Sequence, residues 1–145
     1  MIERLREQRG VAAVEFVLVS FLLIGMLYGI LMFGFIFALD HNLEQAAAER
    51  ARQAISQPDS TLPLAQDPRA AYSANAAKDH LTFQAAKDHA VITGSVIQCP
   101  SDTSIRCVKV HIVYDYKTYP IIPALIGLNL AAPDTLSADA IVELD

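Results

Sequence analysis

Residues 16–39 carry no charged side chain, and Ser20 is the only strongly polar one among them. As a helix rising about 1.5 Å per residue, that run spans roughly 36 Å. The hydrocarbon core of a bilayer is about 30 Å thick, so the run can cross it with some tilt. A helix on the surface of a soluble core keeps a polar stripe, and this one has none. It reads as a membrane-spanning helix, which makes the lipid bilayer the first partner. A removable secretory signal has an apolar part of about 7–15 residues ending at a small-residue cleavage site. This run is longer, and Phe37-Ala38-Leu39 offers no such site.

The flanking charges orient it. Arg4, Arg6 and Arg9 precede the run, while Asp40 and Glu44 follow it, with no Lys or Arg until Arg50. Positive residues stay on the cytoplasmic side, so the N-terminus is expected inside and everything after the helix outside. Glu15 stands at the mouth of the run. A carboxylate there is either an interfacial group reaching the headgroups or a group with a task, and the residues around it bear on the choice.

Three arginines lead to Gly10, four residues follow, and Glu15-Phe16 then opens the apolar stretch. Gln8-Arg9-Gly10-Val11-Ala12-Ala13-Val14-Glu15-Phe16 resembles a class III (prepilin-type) signal, and in particular that of the TadE-like minor pilins (pseudopilins) of tight-adherence (type IVb) pilus systems. An alanine-rich stretch over 46–54, a two-cysteine strand region and the closing Leu136-Ser137-Ala138-Asp139-Ala140 add to the likeness. The resemblance implies cleavage between Gly10 and Val11 by a prepilin peptidase, with methylation of the new N-terminus. It also implies that Glu15 and Phe16 serve processing and assembly. A carboxylate drawn into low dielectric needs a proton or a cation, and the new amine of Val11 is a cation one helical turn away. That amine belongs either to the same chain or, as the resemblance implies, to the neighbouring subunit. The implied partners are the peptidase, other pilin subunits through the N-terminal helix, and the inner-membrane assembly platform. The implied location is the bacterial inner membrane, single-pass with a periplasmic head, or an extracellular pilus. The rival is an unprocessed signal-anchor protein with a periplasmic binding or interaction domain. Both share one topology, so processing at Gly10 separates them.

Four segments are expected: a leader over 1–10, a transmembrane helix over 11–39, its soluble continuation over 40–56, and a periplasmic head over 57–145. In the continuation, Leu43, Ala47, Ala51, Ala54 and Ile55 recur at helical spacing. One helix is therefore expected from near Val11 to just before Pro58. Gly25 and Gly29 make a small-xxx-small pair that lets helices pack closely in lipid, although glycine is common in membrane helices anyway. Pro58, Pro63 and Pro68 mark a loop. Asp67 reads as the cap of a second helix with Pro68 in its first turn, running to about residue 80 or 83. Alternation then predicts strands over 90–99, 105–116 and 135–144, the last with Leu136, Ala138, Ala140, Val142 and Leu144 on one face. The expected fold is α+β: a long N-terminal membrane helix, a second helix and a roughly three-stranded antiparallel sheet, in the manner of a pilin lollipop. Residues 119–130, broken by Pro120 and Pro123, read either as cover for the sheet or as an apolar contact surface.

Cys99 and Cys107 lie on the oxidising side by the orientation argument and at two strand ends, where a disulfide clamps the hairpin. Without a Cys-x-x-Cys spacing they do not suggest zinc. Ala76-Ala77-Lys78-Asp79-His80 recurs as Ala85-Ala86-Lys87-Asp88-His89. On one continuous helix, nine residues turn about 900°, which puts the two histidines on opposite faces and builds no metal site. His41 lies near the membrane and His111 in a strand, neither with an assignable partner. No nucleophile elbow, phosphate loop or zinc-protease signature occurs, so neither catalytic residues, metal nor cofactor are expected, and the chain reads as an enzyme's substrate. Loss of residues 1–10 removes three Arg and two Glu and takes the formal net charge from −5 to −6. An acidic chain without a basic stripe argues against nucleic acid as a partner.

Overall fold

The computed structural model describes residues 2–58, 61–122 and 132–144, with side chains from residue 10 onward. It divides into two units, Met1–Phe35 and Ile36–Asp145.

The first helix, α1, runs Ile2–Gln53 and closes with a 3-10 turn at Ala54–Ser56. It starts ahead of the expected Val11, so the arginine-rich segment is helical too. Glu, Arg, Leu and Gln are all good helix formers, and nothing before Gly10 breaks the run. Over residues 10–31 the apolar side chains face outward: Val11 is 69% exposed, Phe16 73% and Phe21 82%. Among the described residues, α1 is the one helix long and apolar enough to cross a membrane.

In the second unit, Ile36, Leu39, Leu43, Ala46, Ala47, Ala51 and Ala54 of the same helix are buried. Asn42 fixes the helix to the chain after the next helix. Its amide donates to Thr82 Oγ1 at 3.2 Å, and its oxygen accepts from the Thr82 N–H at 3.0 Å. Ile55, expected on the buried stripe, is 43% exposed. The last turn tightens from α to 3-10 geometry there, which turns the stripe away one residue after Ala54.

The second helix, α2, spans Pro68–His80 with Asp67 as its N-cap, as the Asp-Pro pair predicts. A third, α3 (Gln84–His89), is new relative to the sequence reading. Leu81 adopts an extended conformation and ends α2, so His80 and His89 close two separate short helices. The continuous-helix geometry assumed for them does not apply.

Strands β1 (Val91–Gln98), β2 (Arg106–Asp115) and β3 (Thr135–Glu143) form an antiparallel sheet in the order β1-β2-β3. Val96, Val108 and Val142 lie in one register line, as do Ile92, Ile112 and Ala138. Period-2 alternation puts Val108, Val110, Ile112 and Tyr114 on the buried face with Val96, Leu136 and Ala138. The fold is α+β. α2 lies against β1 at Gly94, where an added Cβ would collide with the Ala70 carbonyl oxygen and sit 2.8 Å from Ser73 Oγ. A helix backbone can approach this strand only because the side chain is missing. Of the stretch over 119–130, only Tyr119 to Ile122 fall among the described residues, so its role as cover or contact lies outside them.

Candidate processing and assembly site

Gly10, Val11, Glu15 and Phe16 all lie on α1, where Leu and Ala neighbours keep the backbone helical. Gly10 and Glu15 are exposed along with Val11 and Phe16. A Cβ built on Gly10 would meet nothing within 4 Å. At about 100° per residue, Val11 and Glu15 stand some 40° apart and one turn along the axis. Gly25 and Gly29 fall in the same quarter of the helix circumference, within about 80° of Glu15. A Cβ on either glycine likewise meets nothing within 4 Å, so both leave the backbone open to a neighbour. Phe16 and Gly34 lie about 100° round from Glu15, outside this sector. The helix thus gathers Val11, the Glu15 carboxylate and the two glycines on one side, and turns Phe16 away from them.

The other singled-out residues lie in the second unit. Cys99 and Cys107 are joined by a disulfide across the β1–β2 connection, with Cα atoms 5.0 Å apart and both residues buried. The turn between them is held by Asp102, which accepts from the Ser104 N–H and hydroxyl at 2.8 and 2.7 Å. Those bonds keep its carboxyl below the usual range.

Two polar clusters escaped the sequence reading. Asp67 is fully buried and accepts from the Arg69 N–H at 3.0 Å, from Arg69 Nε at 3.0 and 3.2 Å, and from Arg69 Nη2 at 2.6 Å. Arg106 Nη1 of β2 stands 3.6 Å from the same carboxylate and donates to the Leu62 carbonyl at 3.1 Å. The Arg69 hydrogen bonds hold the Asp67 carboxyl below its ordinary value of 3.8, against burial, and both guanidinium charges add to them. On the open face of the sheet, Asp139 Oδ1 lies 2.9 Å from His111 Nδ1 and 3.2 Å from Lys109 Nζ. Burial pushes the Asp139 carboxyl up, but the Lys109 and His111 bonds and charges together bring it down. Register was the missing signal, since His111 and Asp139 are cross-strand partners. His89 stacks on Tyr119 with ring centroids 3.6 Å apart, and Tyr119 accepts a 2.5 Å bond from the Tyr114 hydroxyl. Burial raises the Tyr114 hydroxyl. Among the described residues, no three His, Cys, Asp or Glu side chains converge to hold a metal ion.

The family model described as TadE-like protein matches residues 10–52, opening at Gly10 and closing one residue short of the end of α1. Residues 10–52 form a TadE-like segment. The resemblance carried by Gly10, Glu15 and Phe16 therefore falls inside the matched region. The TadE-like match stops before the two-cysteine region and the closing strand, whose likeness lies outside it. No curated protein and no solved structure matches the chain. The match is a likeness of the N-terminal segment to TadE-like proteins. The segment's single apolar helix is compatible with a single-pass membrane anchor.

Proposed function

We propose that this chain is a minor pilin: it is cut by a prepilin peptidase between Gly10 and Val11, held in the inner membrane by α1, and then taken into or beneath a tight-adherence pilus. The supporting observation is that the TadE-like match begins at Gly10 and covers the helix whose apolar side chains are left exposed over residues 10–31. Such side chains need lipid or neighbouring helices around them. Hydrolysis breaks the Gly10–Val11 amide; the water hydroxyl goes to the Gly10 carbonyl carbon and the proton to the departing nitrogen. The products are the leader's carboxylate and the ammonium of Val11.

Glu15 then aligns an incoming subunit by pairing with the Val11 ammonium of its neighbour, while Gly25 and Gly29, on the same side, let the two helices close. The residues after α1 are periplasmic and contact the major pilin or the assembly platform. Glu15→Ala tests the register role. Membranes and sheared pili from cells making the variant should contain correctly cut protein in the membrane and little or none in the pilus fraction. Unchanged processing with unchanged incorporation would contradict it.

A further inference from the structure

We infer that the Gly10–Val11 bond is presented inside closed helix, and that opening of this helix between the leader and Glu15 sets the rate at which the leader is removed. This rests on the processing reading above. α1 is unbroken from Ile2, so the scissile bond lies within hydrogen-bonded backbone. In an α-helix the Gly10 carbonyl accepts from the N–H of Val14, and the Val11 N–H donates to Glu7. Water and a catalytic group cannot reach that carbonyl until the turn opens.

Several features favour opening here and confine it. Residues 10–19 are exposed, so in this chain only the helix's own hydrogen bonds hold them closed. Gly10 is the single glycine before Gly25, and glycine is the poorest helix former after proline. From Phe16 onward the uncharged run lies in hydrocarbon, where backbone groups must stay paired within the helix. Opening can therefore spread from the leader through residues 11–14, where water satisfies the freed groups, and it stops at Glu15. One helical turn separates the scissile bond from that boundary. Helix–coil exchange takes about 0.1–1 μs, whereas turnover takes about a millisecond or longer. Cleavage then follows the equilibrium population of the open form.

The test uses the full chain in detergent micelles with a purified prepilin peptidase, comparing Gln8→Gly with Gln8→Ala, and Ala13→Gly with the wild type. These changes flank the site, alter no charge and leave Gly10, Val11, Glu15 and Phe16 in place. Each glycine should raise kcat/KM about fivefold over its alanine counterpart. Amide exchange over residues 11–14 should quicken by a matching factor. Cleavage that stays constant while exchange quickens would overturn the inference, because the peptidase would then accept closed helix. So would a rate change on only one side of the bond with exchange faster on both, which is side-chain recognition. A wild-type chain that the peptidase never cuts after Gly10 overturns the processing reading itself.

Discussion

Asp67 has no exposed side-chain surface and meets one guanidinium at hydrogen-bond distance and a second at 3.6 Å. It caps α2 and, through Arg106, ties that helix start to β2. Removing one partner of a buried pair leaves the other uncompensated, which typically costs about 3–5 kcal/mol. Asp67→Ala should therefore destabilise the detergent-solubilised full chain by about 3 kcal/mol, read by thermal unfolding through tyrosine circular dichroism, as the chain has no tryptophan. The same carboxylate gives a pH signature. Its pKa is lower in the folded state than the ordinary 3.8, so its contribution is complete above that value and is lost as pH falls through the folded pKa. Asp102, Asp115 and Asp139 are lowered too and act in the same direction. Stability should hold at neutral pH and decline below about pH 4, and Asp67→Asn should make that decline shallower. A variant with the wild-type pH profile would show that Asp67 contributes nothing to it. Gly94 is the other position where one residue decides the packing. Gly94→Ala drives a methyl group into the α2 backbone, and overpacking of this kind costs about 1–3 kcal/mol. Ser95→Ala, on the exposed face next to it, should cost a few tenths at most, and equal losses at the two sites would refute the close approach.

At the scale of elements, the disulfide closes a small loop between β1 and β2, and the chain-entropy model assigns such a loop about 2.5 kcal/mol. Cys99→Ser with Cys107→Ser should lower stability by about that amount, and reductant should lower the wild type equally while leaving the double variant unchanged. The strands were legible because apolar and polar residues alternate cleanly along Val108-Lys109-Val110-His111-Ile112, a pattern only a half-buried strand makes sense of. α2 was legible from Asp67-Pro68, since a cap and a proline act locally. α3 was not, because six residues are too few to show a helical period. Its clue was the repeat itself: Lys78 and His80 end one helix, and Lys87 and His89 end the next, as cations favour helix C-termini. The Asp67–Arg106 and His111–Asp139 contacts join residues far apart in the chain, and only strand register and helix placement bring them together. The shared side of Val11, Glu15, Gly25 and Gly29 follows from the angles these positions take along α1, and the sequence reading did not draw it. The early start of α1 at Ile2 was missed because Gly10 read as a boundary, whereas a lone glycine weakens a helix without ending it.

For the whole chain, the large apolar side chains exposed along α1 far exceed what a soluble monomer displays, so lipid or other helices must cover them. The TadE-like segment holds this helix, and the account assigns assembly to it and partner contact to the residues beyond. Everything in that account follows from one covalent event at Gly10. The measurement that tests it most directly is the N-terminal residue of the mature protein, determined by mass spectrometry from cells with and without a prepilin peptidase. The account predicts a chain beginning at Val11 in the first case and uncut in the second. A chain still beginning at Met1 in cells that carry an active peptidase would contradict it and leave a signal anchor with an interaction domain.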